Sequence, residues 1–98
     1  MHTYQTITYQ ESQISKIVSY VLSNSYLELD SFDISDENIG EAQFITRRNG
    51  SIQDETPSRL DINEGKRVGL DVINKFDNVK AELELVDEWV YLTIKCTH

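Results

Sequence analysis

The sequence has one cysteine and two histidines among its 98 residues. The single cysteine, Cys96, excludes an internal disulfide and is consistent with a reducing compartment, so we expect a cytoplasmic protein. His2 and His98 lie at the two ends of the chain, far from the paired spacings of a structural zinc site. The scarcity of histidine also argues against an enzyme, because this residue most often moves protons near neutral pH. We therefore expect no metal, no cofactor and no catalytic residues.

Long apolar runs and basic residues are also scarce. No uninterrupted apolar run approaches the roughly 20 residues of a membrane-spanning helix, and the amino terminus lacks the basic-then-apolar pattern of a secretory signal. Nine basic and seventeen acidic side chains give a net charge of −8. This charge repels phosphate backbones and anionic lipid headgroups, so we expect no direct binding to nucleic acid or to a membrane. The length predicts a single domain over residues 1–98.

One amphipathic helix is predicted near the amino terminus, within "ESQISKIVSYVLSN" at residues 11–24. Thr8 and Glu11 have the spacing of a capping box, and Asn24 is a suitable left-handed stop. We expect the helix to cover one face of a sheet. Its apolar residues have the i, i+3, i+4, i+7, i+8 spacing of one helical face: Ile14, Ile17, Val18, Val21 and Leu22.

The carboxy-terminal third predicts a β-hairpin in which "VKAELELV" pairs with "WVYLTIKC" around Asp87 and Glu88. One face of this hairpin is apolar or cysteine throughout, with the pairs Val79 and Cys96, Ala81 and Ile94, Leu83 and Leu92, and Leu85 and Val90. The other face has the pairs Lys80 and Lys95, Glu82 and Thr93, Glu84 and Tyr91, and Val86 and Trp89. The pair of lysines opposes this register by about a few tenths of a kcal/mol.

Residues 58–73, "SRLDINEGKRVGLDVI", fit either a second helix or a hairpin. Gly65 and Gly69 would each cost a helix about 1 kcal/mol, whereas residues 63–65 form a natural tight loop that ends in glycine. We therefore predict a hairpin and keep a helix as the alternative. The predicted pairs are Asp61 with Arg67 and Leu60 with Val68.

The remaining segments complete a sheet. Residues 3–8 and 26–32 are predicted strands, and Asn49-Gly50 is a strong signal for a two-residue hairpin turn. Residues 35–40 and 53–58 are predicted loops. The predicted fold class is α+β, with one N-terminal amphipathic helix packed on a mostly antiparallel β-sheet that is largely a meander.

An acidic stretch over residues 28–41 contains no lysine or arginine. Counted from Asp30 as position one, Glu41 is the twelfth residue of a calcium loop, but Phe32 and Ile34 occupy two of the ligand positions and Ser35 replaces the required glycine. We therefore favour an electrostatic surface for a basic partner over a metal site. Its six carboxylates belong to Glu28, Asp30, Asp33, Asp36, Glu37 and Glu41.

Trp89 and Tyr91 are the second candidate feature, because large rigid side chains with a polar tip are enriched at binding hot spots. An equally weighted alternative is that these two side chains cover a small second core of the protein itself. The predicted function is a non-enzymatic, acidic protein-binding module that docks on a basic surface of a nucleic-acid-binding protein, as an immunity protein or another inhibitor would.

Two other classes of function stay open. One is a small-molecule site between helix and sheet, lined by Tyr20, Tyr26 and Trp89. The other is an assembly role as a homodimer, joined through a sheet edge or through the hairpin aromatics, so the protein is expected to be a monomer or a homodimer.

Overall fold

The computed structural model describes residues 12–36, 39–46 and 58–97. Along the chain, these residues form helix α1 (Gln13–Asn24), strands β1 (Glu28–Asp36) and β2 (Ile39–Ile45), helix α2 (Arg59–Lys75), and strands β3 (Val79–Val86) and β4 (Trp89–Cys96). The four strands form one antiparallel sheet in the order β1, β2, β4, β3. The α+β fold and the antiparallel sheet are confirmed. The connectivity is two hairpins joined through α2 instead of a continuous meander.

Helix α1 occupies the predicted segment but begins later than the sequence suggested. The Ser12 hydroxyl accepts a hydrogen bond from the Ser15 backbone N–H at 3.2 Å, which makes Ser12 the N-cap. Thr8 and Glu11, which form the predicted capping box, lie outside the described part of the chain. The helix ends at Asn24 as predicted, although its cap, Ser25, is extended and not left-handed.

The register of the last hairpin is confirmed at all eight residue pairs from Val79 with Cys96 to Val86 with Trp89. A slip of one residue would mix apolar and polar side chains on both faces of the hairpin. Asp87 provides the left-handed turn residue, with φ of 55°. Lys80 and Lys95 lie directly opposite each other, as the register required.

The predicted hairpin over residues 58–73 is wrong, because this segment belongs to α2. The Ser58 hydroxyl caps the helix by accepting from the Asp61 N–H at 3.1 Å. The glycines that argued against a helix face the sheet, where a Cβ on Gly65 would lie 2.7 Å from Leu83 Cδ1. Close packing on the sheet therefore outweighs the intrinsic helix penalty of glycine. The predicted pairings of Asp61 with Arg67 and of Leu60 with Val68 do not form.

The first hairpin lies where the sequence indicated a strand and then a loop. Strand β1 runs to Asp36 and β2 begins at Ile39, so most of the predicted loop at 35–40 is strand. Register shifts occur between Leu29 and Ser31 and between Ile34 and Asp36. These irregularities broke the alternation that a strand would otherwise show in the sequence. The predicted strand at 3–8 and the Asn49-Gly50 turn lie outside the described residues.

Both helices cover the same face of the sheet. Apolar side chains of α1 and α2 pack there on β2 and β4 in one core, while Tyr20, Leu29, Ile34, Phe76, Val79, Ala81 and Leu83 pack around its rim. Cys96 is buried in this core, and burial raises the pKa of its thiol. The buried members of this core are Ile14, Ile17, Val18, Val21, Leu27, Ala42, Phe44, Val68, Val72, Leu92, Ile94 and Cys96.

Candidate functional site

The side of the sheet opposite the two helices, here called the outer face, is polar along most of its length. The strand pairings align its side chains in rows that cross all four strands. One row reads Asp33, Glu41, Lys95, Lys80; the next reads Ser31, Gln43, Thr93, Glu82; and the third reads Glu28, Ile45, Tyr91, Glu84. Asp36 with Ile39 and Val86 with Trp89 complete the face at its two ends.

Acidic side chains from both hairpins converge on the outer face. Six carboxylates stand against two ammonium groups within the described strands, and all six acidic residues are exposed. Lys95 Nζ lies 3.7 Å from Glu82 Oε1, so one of the two cations is already shared with an acid of the same face. The side chains of the described strands therefore give this face an excess of negative charge. The six residues are Glu28, Asp33, Asp36, Glu41, Glu82 and Glu84.

The structure brings together four of the six acids that the sequence singled out. Glu28, Asp33, Asp36 and Glu41 belong to the outer face. Asp30 is exposed but is the unpaired residue at the first register shift of β1, and Glu37 lies outside the described residues.

Two acids of the outer face were missed by sequence reasoning. Glu82 and Glu84 had been placed on the polar side of the last hairpin, but not beside the acidic stretch. Their proximity depends on the pairing of β2 with β4, which joins residues about fifty positions apart. Charged and apolar residues alternate in "ELEL" of β3, and apolar residues also alternate along β2. This pattern indicates which side chains share a face within each strand, but it does not identify which strands are neighbours.

Directly opposed carboxylates make the charged end of the outer face electrostatically unfavourable by itself. Asp33 and Glu41 are cross-strand partners, and like charges in such a pair destabilise a sheet. Lys95 is the neighbour of Glu41 on the other side, but its ammonium group lies near Glu82. A cation supplied from outside would relieve this repulsion.

The opposite end of the outer face is apolar and aromatic. Tyr91 and Trp89 are half-buried, Ile45 beside Tyr91 is buried, and Val86 beside Trp89 is 38% exposed. The predicted pair of anchors therefore shares a face with the acids. Between the two ends, the Gln43 side-chain amide donates to the Thr93 hydroxyl at 3.3 Å.

The helix side carries a separate polar cluster that joins the end of α1 to α2. The Tyr26 hydroxyl donates to Asp61 Oδ1 at 2.8 Å, and Arg67 donates to both oxygens of Glu64 at 3.1 and 3.0 Å. Arg67 also donates to the Asn24 carbonyl oxygen at 2.8 Å. Burial, reinforced by the bond to Asp61, raises the pKa of Tyr26. These bonds fix the chain between α1 and β1 against α2.

A cavity of about 470 Å³ lies beside this cluster and is lined in part by Tyr26, Asp61, Glu64 and Arg67. Within the described part of the chain, no donor reaches the second oxygen of Asp61, and this oxygen is enclosed instead of facing the cavity. The ionic groups of Glu64 and Arg67 are engaged with each other. The cavity thus offers few convergent polar groups to a small molecule.

The three aromatic residues of the predicted small-molecule site do not come together. Tyr20 and Tyr26 lie on the helix side, where their hydroxyls bond to Asp71 at 3.0 Å and to Asp61 at 2.8 Å. Trp89 belongs to the outer face. The predicted small-molecule site required Trp89 to lie on the helix side of the sheet. The predicted register of the last hairpin had already placed Trp89 on the other face.

Metal binding, membrane insertion and similarity to known proteins bear on other classes of function. In residues 12–36, 39–46 and 58–97, no group of three or more histidine, cysteine, aspartate or glutamate side chains is arranged to hold a metal ion. Neither described helix has the length and apolar content needed to cross a membrane. Comparison with protein-family models, with curated proteins and with solved structures gives no match.

Proposed function

We propose that this protein is a non-enzymatic binding module whose outer face docks on a basic surface of another protein. The observation that supports this proposal is the convergence of six exposed carboxylates, drawn from both hairpins, on one face whose described strands hold two lysines. Charge of one sign on a preformed surface accelerates encounter with a partner of opposite charge and disfavours acidic partners. A lysine- or arginine-rich protein surface is the matching chemistry.

The aromatic end of the outer face supplies the other half of the proposal. Charges steer association, whereas large side chains that become desolvated hold the complex together. Trp89, Tyr91 and Val86 form such a group next to the acids. The order of events is electrostatic capture by the acidic rows, followed by burial of the aromatic end.

Within this proposal, the partner is a nucleic-acid-binding protein of the cytoplasm. Proteins that bind phosphate backbones present clustered lysine and arginine side chains, which an acidic face can cover. An immunity protein or another inhibitor would act in this way, by occupying the surface that nucleic acid needs. The single buried cysteine is compatible with the reducing cytoplasm.

The test compares two charge reversals of the same size. Asp33→Lys changes the outer face and places a lysine opposite Glu41, so the fold is expected to persist. Asp77→Lys makes the same change in an exposed loop after α2 and is the control. Wild type and both variants are immobilised, exposed to lysate of the source cells at low and high salt, and the retained proteins are quantified by mass spectrometry.

We expect one basic protein to be retained equally by wild type and Asp77→Lys, several-fold less by Asp33→Lys, and to be released by high salt. The purified partner should then change the emission of Trp89, the only tryptophan of the chain. Retention that is the same for Asp33→Lys and wild type would exclude the outer face as the docking surface. An emission spectrum that the partner leaves unchanged would exclude the aromatic end.

A further inference from the structure

The two edges of the sheet differ in how well they are protected against pairing with another strand. Strand β1 has two register shifts, and acidic residues recur along it, so it presents an irregular and negatively charged edge. Natural sheets protect edges by such bulges and charges. Strand β3 is eight residues long and regular, and no described strand pairs with its outer side.

Apolar side chains of strand β3 are also exposed to water near this edge. Leu85 is 50% exposed on the helix face and Val86 is 38% exposed on the outer face. On α2, Glu64, Arg67 and Asp71 face α1, because they bond to its end and to Tyr20. The opposite side of α2 therefore lies towards the β3 edge. It carries the exposed apolar residue Ile73, which is 43% exposed.

The charges of β3 are complementary to a second copy of the same strand. Lys80 is the only base of the strand, and it lies opposite Lys95 with no salt bridge to any described residue. Glu84 lies four residues further along the same face. An antiparallel copy of β3 would bring each Lys80 beside a carboxylate, which would offset the repulsion from Lys95.

We propose that two copies of the chain form a homodimer by antiparallel pairing of their β3 strands, with the twofold axis at Glu82. In this register Lys80 lies opposite Glu84 of the partner subunit on the outer face. On the helix face, Val79 lies opposite Leu85 of the partner subunit, and Ala81 lies opposite Leu83 of the partner subunit. The strand period of two then keeps apolar residues with apolar residues throughout.

Two neighbouring registers also keep the outer face and the helix face of the strands separate, but their residue pairs are less favourable. With the axis at Leu83, Lys80 would face Val86 of the partner subunit and stay without a carboxylate. With the axis at Ala81, Lys80 would lie opposite Glu82 of the partner subunit, but the exposed Leu85 and Val86 would extend beyond the paired segment and stay in water. The register at Glu82 does place two carboxylates at the axis, but each is 3.7 Å from its own Lys95. The dimer joins two outer faces into one eight-stranded acidic surface, and its formation does not depend on the proposed basic partner.

The test is the molecular mass of the full chain in solution, measured by sedimentation equilibrium for wild type, Lys80→Glu, Glu84→Lys and the double variant. Each single variant replaces two attractive pairs by two repulsive ones, so we expect dimer dissociation constants to rise about tenfold or more. The double variant restores opposite charges in the register centred on Glu82 and should recover the wild-type constant. Circular dichroism shows whether each variant is folded.

Lys16→Glu makes the same charge reversal at an exposed position of α1, away from β3, and is the control that should leave the dimer constant unchanged. A wild-type chain that stays monomeric at high micromolar concentration would overturn the proposal. A dimer that tolerates both single variants, or one that the double variant fails to restore, would overturn it as well. Amide hydrogen exchange provides an independent measurement: β3 should become more protected as the concentration of the chain rises.

Discussion

At the scale of single residues, the Glu64 and Arg67 pair shows how one contact joins three segments. Arg67 holds both oxygens of Glu64 and the carbonyl oxygen of Asn24, while Glu64 also accepts from the Tyr26 N–H at 3.3 Å. The i, i+3 spacing of the pair is visible in the sequence only once α2 is known to be a helix. A hairpin interpretation paired Arg67 with Asp61 instead, so this contact was not predicted.

The pair should make stability depend on pH. Hydrogen bonding from Arg67 lowers the pKa of Glu64, against the opposing effect of burial. Because the folded state favours the carboxylate, the stabilisation is complete above the pKa of Glu64 in the unfolded chain, about 4.3, and is lost as the pH falls towards the lower folded pKa. Glu64→Gln should therefore lower the free energy of unfolding by about 1 kcal/mol at pH 7 and by less at pH 3.

Urea unfolding at pH 7 and pH 3 measures this difference. Arg67→Gln is the matched variant, since it removes the same pair but keeps the titrating carboxyl group. The free energy of unfolding of Arg67→Gln should depend less on pH than that of wild type, as for Glu64→Gln. A destabilisation by Glu64→Gln that is equal at both pH values would show that the ion pair does not carry the effect.

At the scale of elements, α2 shows where sequence reasoning failed and why. Helix propensity is a local quantity, and the two glycines were weighed as a local cost. Their benefit depends on side chains of β3 and β4 that are distant in sequence: Leu83 and Val90 lie against Gly65, while Ala81 and Leu92 lie against Gly69. The last hairpin succeeded for the opposite reason. Its register follows from alternation within one continuous segment, and no distant neighbour is needed to define it.

The two glycines of α2 should respond differently to alanine. A Cβ on Gly69 would lie 3.4 Å from its nearest neighbours, in ordinary contact, so Gly69→Ala should gain helix propensity and stabilise the fold by up to about 1 kcal/mol. A Cβ on Gly65 would lie 2.7 Å from Leu83 and 3.2 Å from Val90, and overpacking of this kind costs about 1–3 kcal/mol. Thermal unfolding followed by circular dichroism should place the Tm of Gly69→Ala above that of wild type.

In the same measurement the Tm of Gly65→Ala should lie below that of wild type, because the cost of overpacking exceeds the gain of about 1 kcal/mol in helix propensity. Both variants make one identical chemical change in one helix, so each controls for the propensity effect of the other. Equal gains in Tm for the two variants would mean that Gly65 does not make the close approach to the sheet.

At the scale of the whole molecule, the arrangement of charge on the surface indicates a docking face better than the net charge does. The sequence predicted a concentrated acidic segment and, separately, a polar face with two aromatic residues. It did not predict that these belong to one surface, because the order of strands in a sheet is not encoded in the alternation of any single strand. The pairing of β2 with β4 joins them and adds Glu82 and Glu84 to the acids. The proposed docking function depends on this convergence.

The association rate constant with the basic partner, measured by stopped-flow Trp89 fluorescence over a range of salt concentrations, tests the docking function most directly. Electrostatic steering predicts that the wild-type rate falls steeply with added salt. Asp33→Lys should associate about threefold or more slowly at low salt and show a shallower dependence, while Asp77→Lys should follow wild type. A wild-type rate that is independent of salt, or an Asp33→Lys rate equal to that of wild type, would contradict an acidic docking face.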